Sequence, residues 1–146
     1  MSKSNSLEND FLLLLFNNTN AALVGDATGL RGSATAGSLF ISLHTADPGE
    51  AGTQATSEAT YGSYARQAIA RSGAGFTVVA NAVSNAAAIT FPAASSGSQT
   101  ITHFGVGTDA SGAGKLLYKG ALTPSIAVST GVSVNIPVGD LDITED

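Results

Sequence analysis

The chain has 146 residues, 43% of them hydrophobic and 12% charged, with a net charge of -5 and no cysteine. A chain this apolar and this weakly charged is not disordered, and its length suits one ordinary core. Six Lys and Arg against eleven Asp and Glu argue against nucleic acid and anionic membranes as partners. The absence of cysteine removes disulfides, thiolate nucleophiles and cysteine zinc sites.

Asn5 with Glu8 three residues later reads as a capping box at the start of a helix. Leu7, Phe11, Leu14 and Leu15 recur at helical spacing and predict one apolar face, which Leu12, Leu13 and Phe16 widen until little polar face is left. Asn17 to Asn20 ends the helix. Such a helix has to be covered on more than one side. It plugs an end of its own body or packs on a neighbouring subunit, and a symmetry-related second copy is the expected cover. Lys3 before the Phe11–Phe16 apolar block does not read as a secretory leader, because Glu8 and Asp10 intervene and no small-residue cleavage site follows closely. The expectation is a cytoplasmic product that joins an assembly. No segment approaches the ~18 to 20 apolar residues of a membrane span.

Residues 21–37 are glycine-rich and aperiodic, which predicts an arm and places a boundary between residues 1–37 and a β body over 38–146. Leu39, Ile41 and Leu43 alternate with Phe40, Ser42 and His44, the period of a half-buried strand. Asp47-Pro48-Gly49 turns the chain, and Tyr64 to Ile69 reads as the returning strand. Phe76, Val78 and Ala80 form the next strand, Asn81 to Asn85 a turn, and Ala87 to Phe91 a further strand. Gln99 to Thr108 and Leu116 to Leu122 flank a hairpin at Asp109 to Gly114. Pro124 breaks the latter strand and Ile126 starts another. Val132, Val134, Ile136 and Val138 alternate most clearly, with Pro137 demanding a strand end or an edge. The acidic stretch from Asp140 to Asp146 reads as a final edge strand. About eight strands with turns at this spacing predict a mainly β, single-domain antiparallel sandwich, jelly-roll or Greek-key-like, with a short N-terminal helix.

Gly107 to Lys115 fails as a phosphate loop, because Asp109 stands where glycine is required and Leu116 replaces the Ser or Thr that would hold magnesium. Gly105-Val106-Gly107 does not continue into a dinucleotide fingerprint, since Ala110 occupies the third glycine position. His44 and His103, the two histidines, read as hydrogen-bonding strand residues rather than a metal pair. Asp47 and Asp109 are explained by turn chemistry, and the acids follow no calcium-loop pattern. No catalytic, cofactor or metal residue is predicted. Tyr61, Tyr64 and Arg66 are residue types enriched at interfaces. They either serve there or cap the core, with Arg66 neutralising a nearby acid. The interaction residues expected from the sequence are Leu7, Phe11, Leu12, Leu15, Phe16, Tyr61, Tyr64 and Arg66.

The run Leu43-His44-Thr45-Ala46-Asp47-Pro48-Gly49, followed by Tyr64-Ala65-Arg66-Gln67, resembles a family of small bacteriophage virion structural proteins, tail-fibre-like or head-decoration in label. The resemblance continues through Ala88 to Pro92, Ile101 to Val106, Gly120-Ala121-Leu122 and Gly139 to Ile143. It implies a non-enzymatic virion component; the expectation is a chain without cofactor, made in the host cytoplasm, that docks on major capsid or tail proteins, and the apolar helix adds the expectation of a homo-oligomer. Size and fold class lead to an expectation of capsid decoration or cement. The alternative is a tail-fibre or tail-tip protein with a receptor- or glycan-binding role.

Overall fold

The computed structural model describes residues 2–145. The chain is mainly β, with antiparallel sheets and, among the described residues, one α-helix and nine strands. Helix α1 is Asn5–Asn17, and the strands are β1 Ser38–His44, β2 Gln67–Ala70, β3 Phe76–Val79, β4 Ala82–Asn85, β5 Ile89–Thr90, β6 Gln99–Gly107, β7 Leu116–Val128, β8 Asn135–Ile136 and β9 Asp142–Thr144. They divide into two compact units, Met1–Ser38 with Ile69–Ala88 and Ile136–Asp146, and Leu39–Ala68 with Ile89–Asn135.

The first unit sets α1 against β3 and β4 of a three-stranded sheet of order β3-β4-β9. The helix begins one residue earlier than the expected Asn5 cap. Ser4 is the N-cap, its Oγ accepting from Leu7 N–H at 3.3 Å, because a serine oxygen in an extended residue is as good an acceptor for that orphan donor. The buried line also differs from the one expected. It runs through Glu8, Leu12 and Phe16, while Leu7 and Phe11 are 45% and 43% exposed. The apolar run fits either phase, and the packing of Phe16 edge-on to Phe76, with ring centroids 4.9 Å apart, goes with the one adopted.

Asn18 ends α1 in the left-handed conformation, a role asparagine tolerates better than most residues. No basic residue lies in the last turn. Arg71 supplies the missing positive charge from outside, donating to Leu14 O at 2.7 Å and Leu15 O at 2.6 Å, where the helix dipole favours a cation. The same guanidinium donates to Ala36 O at 3.0 Å and Ser33 Oγ at 3.3 Å, tying the arm to the helix end. Within the arm, Ala21 and Leu30 exchange backbone bonds of 2.9 Å. Gly29 permits that approach, since a Cβ there would stand 1.8 Å from Ala21 O.

Asn81 to Asn85, expected as a turn, is mostly strand. The chain reverses at Ala80 and Asn81, and β4 pairs β3 on one side and β9 on the other. The buried Asn85 is not a turn former here. Its amide donates to Ala87 O just beyond β4 and to Pro137 O, and accepts from Leu141 N–H, satisfying a carbonyl and an amide of the last loop. Strand β9 lies at the sheet edge with Asp142 exposed and Ile143 buried, the arrangement read from the acidic end.

In the second unit, β1, β6, β7 and the start of β2 belong to the sheet of order β2-β1-β6-β7. Leu39, Ile41 and Leu43 are buried as their alternation implied, but Ser42 and His44 on the other face are buried too. Strand β7 is continuous through Pro124, where a break was expected. Ile101 pairs with Ile126 and His103 with Ala121, so residues 122–125 bulge opposite Thr102 alone. An edge strand with a bulge has no ladder bond for proline to lose. The valine alternation near the end is regular strand only over Asn135–Ile136, although Phe91 N–H still bonds Val134 O at 2.8 Å.

Full burial of Phe16 and the exposure of Phe11 predict a contrast. Phe16→Ala should cost roughly 3–5 kcal/mol in urea unfolding, and Phe11→Ala about 1 kcal/mol or less. Equal losses would contradict the observed helix phase.

Candidate functional site around Arg66

The densest polar network of the second unit gathers on Arg66, which is 8% exposed. Glu58, in the crossing after Asp47-Pro48-Gly49, meets it side-on: Nε donates to Oε1 at 2.6 Å and Nη2 to Oε2 at 2.7 Å. This is the two-pronged geometry that a planar guanidinium offers a carboxylate. Two further donors reach the β6–β7 hairpin, Nη1 to Asp109 O at 2.8 Å and Nη2 to Gly112 O at 2.6 Å. Four of the five guanidinium donors are thereby engaged. The bond to Glu58 is the main reason that Arg66 is held in its charged form more firmly than a free arginine.

Tyr64 completes the arrangement. Its hydroxyl donates to Glu58 Oε1 at 2.9 Å and accepts from Leu43 N–H at 3.0 Å. Burial, then the adjacent carboxylate, push its ionisation well above the usual phenol range, so it is a fixed donor rather than an acid. Its ring stacks on Phe91 at 6.2 Å, and Tyr61 meets it edge-on at 5.3 Å.

Gln54 braces the same hairpin from below. Its amide donates to Phe40 O at 3.2 Å and accepts from Asp109 N–H at 2.9 Å. Gly107 and Gly114 make room for it: a Cβ would lie 2.1 Å from Gln54 Cδ at the first and 2.2 Å from Oε1 at the second. The glycines that invited a phosphate-loop reading therefore admit a glutamine. The turn at Asp47 is held by Gly49 N–H at 2.8 Å and by Lys119 Nζ, which reaches Asp47 at 3.0 Å and Glu50 at 3.2 Å.

His44 is fully buried opposite His103 across the β1–β6 ladder. Thr56 O, 2.8 Å from Nδ1, can only accept, so Nδ1 carries the proton and Nε2 accepts from Ser42 Oγ–H at 2.8 Å. His103 Nδ1 pairs with Thr102 Oγ1 at 2.9 Å. Among the described residues no group of three His, Cys, Asp or Glu is placed to hold a metal ion.

Of the eight expected interaction residues, the structure brings Tyr61, Tyr64 and Arg66 together: Arg66 pins the chain's own hairpin, Tyr64 holds Glu58, and Tyr61 packs edge-on to Tyr64. Leu12 and Phe16 are wholly buried, Leu15 is half-buried, and Leu7 and Phe11 are exposed. Sequence reasoning missed Gln54, Glu58 and Arg71. Glu58 is the acid that Arg66 was expected to neutralise, and the one available signal was an acid eight residues upstream in a crossing otherwise small and polar.

A depression of about 300 Å3 opens over Glu58, Tyr64, Arg66 and the Ala110–Gly112 turn. Its charged groups are already committed to one another and to backbone carbonyls. A β chain whose strongest polar groups are used to hold its own loops has the makings of a scaffold. The family described as podophage GP4 fiber I protein gp80 matches residues 2–144, and the chain belongs to it. It is a structural component of a phage virion and associates with other virion proteins. No curated protein matches the chain. No helix among the described residues is long and apolar enough to cross a membrane.

Burial is the largest influence on His44 and pulls its pKa below the ordinary 6.5. The folded chain thus refuses a proton that the unfolded chain accepts below about pH 6.5. Stability on this account is level above that pH, falls as pH drops through it, and stops falling below the folded pKa. The stability difference between wild type and His44→Gln, from urea unfolding at intervals from pH 8 to pH 5, should narrow toward the acid end. A constant difference would contradict the assignment.

Proposed function

We propose that the chain is a non-enzymatic structural module of the podophage fibre, seated on other virion proteins. The observation that carries this reading is the fibre-protein family match over residues 2–144. The family description favours the fibre over the capsid decoration expected from size and fold class. The internal use of Arg66, Glu58 and Gln54 supports a scaffold role, because these groups stiffen a hairpin rather than present themselves to a small ligand.

Antibody raised against the chain and carrying gold should label the fibres of intact podophage particles in electron micrographs. Label confined to the head shell would overturn the fibre assignment.

A further inference from the structure

Among the described residues, the large hydrophobic side chains that stand exposed all belong to the first unit. Leu7 and Phe11 lie one turn apart on α1, on the same side of the helix. Leu23, at 80%, and Leu30, at 50%, are displayed by the arm, where Leu23 adopts φ +66, a conformation unfavourable for a leucine. Val79, at 67%, precedes the β3–β4 turn. Lys3 Nζ meets Glu145 Oε2 at 2.9 Å, and Glu145 N–H bonds Asn81 O at 2.8 Å, so the start of α1 lies beside that turn. Isolated exposed hydrophobics are ordinary on protein surfaces; their confinement to one unit is not.

Charge divides the same way. The first unit holds seven acids and three bases, a net of four negative charges, while the second holds four acids and three bases. Of the first unit's three bases, Arg71 is turned onto carbonyls and Lys3 onto Glu145, while Arg31 is exposed. Asp26, Asp140 and Asp142 are exposed. Two copies meeting through this unit would bring like charges together, which opposes association.

We propose that the first unit, through Leu7 and Phe11 of α1, docks a different virion protein whose contact surface is apolar at its centre and basic at its rim. A second copy of this chain, expected from the helix pattern alone, is disfavoured by the charge. The inference rests on the chain being a component of the particle and names the chemistry of its neighbour.

The test is to grow phage carrying a photo-reactive phenylalanine analogue at Phe11 or Leu7, with exposed Thr100 of the second unit as control. Intact particles are irradiated and the adducts mapped by mass spectrometry. The expected adduct joins another virion protein at a peptide with more Lys and Arg than Asp and Glu, enriched over the Thr100 control. An adduct to another copy of the chain, an adduct to an acidic or neutral peptide, or no enrichment would each overturn the proposal. With the cross-linked protein purified, Leu7→Asn and Phe11→Asn should each weaken binding about tenfold while leaving circular dichroism unchanged; unaltered affinity would also overturn it. Gold label on fibres with self-adducts at Phe11 refutes this inference alone. Label on the head with the expected adduct refutes the fibre assignment alone.

Discussion

The second unit depends on one constraint, the position of the Arg66 guanidinium between the Glu58 carboxylate and two hairpin carbonyls. Taking a charge out of water costs several kcal/mol, and mutual attraction repays this only when geometry is good and the remaining donors find partners. Here a two-pronged carboxylate contact is joined by Asp109 O and Gly112 O, and Tyr64 steadies the carboxylate from the other side. Losing one partner of such a pair leaves an uncompensated charge, so a shifted hairpin would strand a half-buried acid. Without disulfides, loops of this kind need another clasp.

The first unit solves the same problem with the same chemistry. Arg71 gathers carbonyls from the end of α1 and from the arm, and Asn85 does so for the last loop. Two of only six basic residues in the chain are thereby turned inward. This leaves an acidic exterior, most so in the first unit, where exposed leucine and valine side chains also concentrate. Internal fastening thus uses up cations that the surface lacks, which favours a basic neighbour.

Much of the fold was legible in alternation. Leu39, Ile41 and Leu43 announced β1, the Asp109–Gly114 glycines announced a hairpin, and Leu141 with Ile143 announced a buried edge strand. What misled was residue type read without context. Asn85 looked like a turn and is a buried tie. Pro124 looked like a strand end and sits in a bulge at a sheet edge. The phase of α1 could not come from a run of leucines that is apolar in every register; it coincides with contact between Phe16 and Phe76. Tyr64 and Arg66 are interface types by residue, whereas their partner Glu58, and Gln54 against the same hairpin, have no periodic signature, since a crossing without regular structure places them.

The order of the second unit depends on Arg66 holding the β6–β7 hairpin in place. Amide hydrogen exchange of Arg66→Met, read residue by residue against wild type, tests this directly. Exchange should be about tenfold faster or more at Asp109, Lys115 and Gln54, whose amides bond within or against the hairpin, with β3 and β4 unchanged. Unaltered protection at those three amides would contradict it.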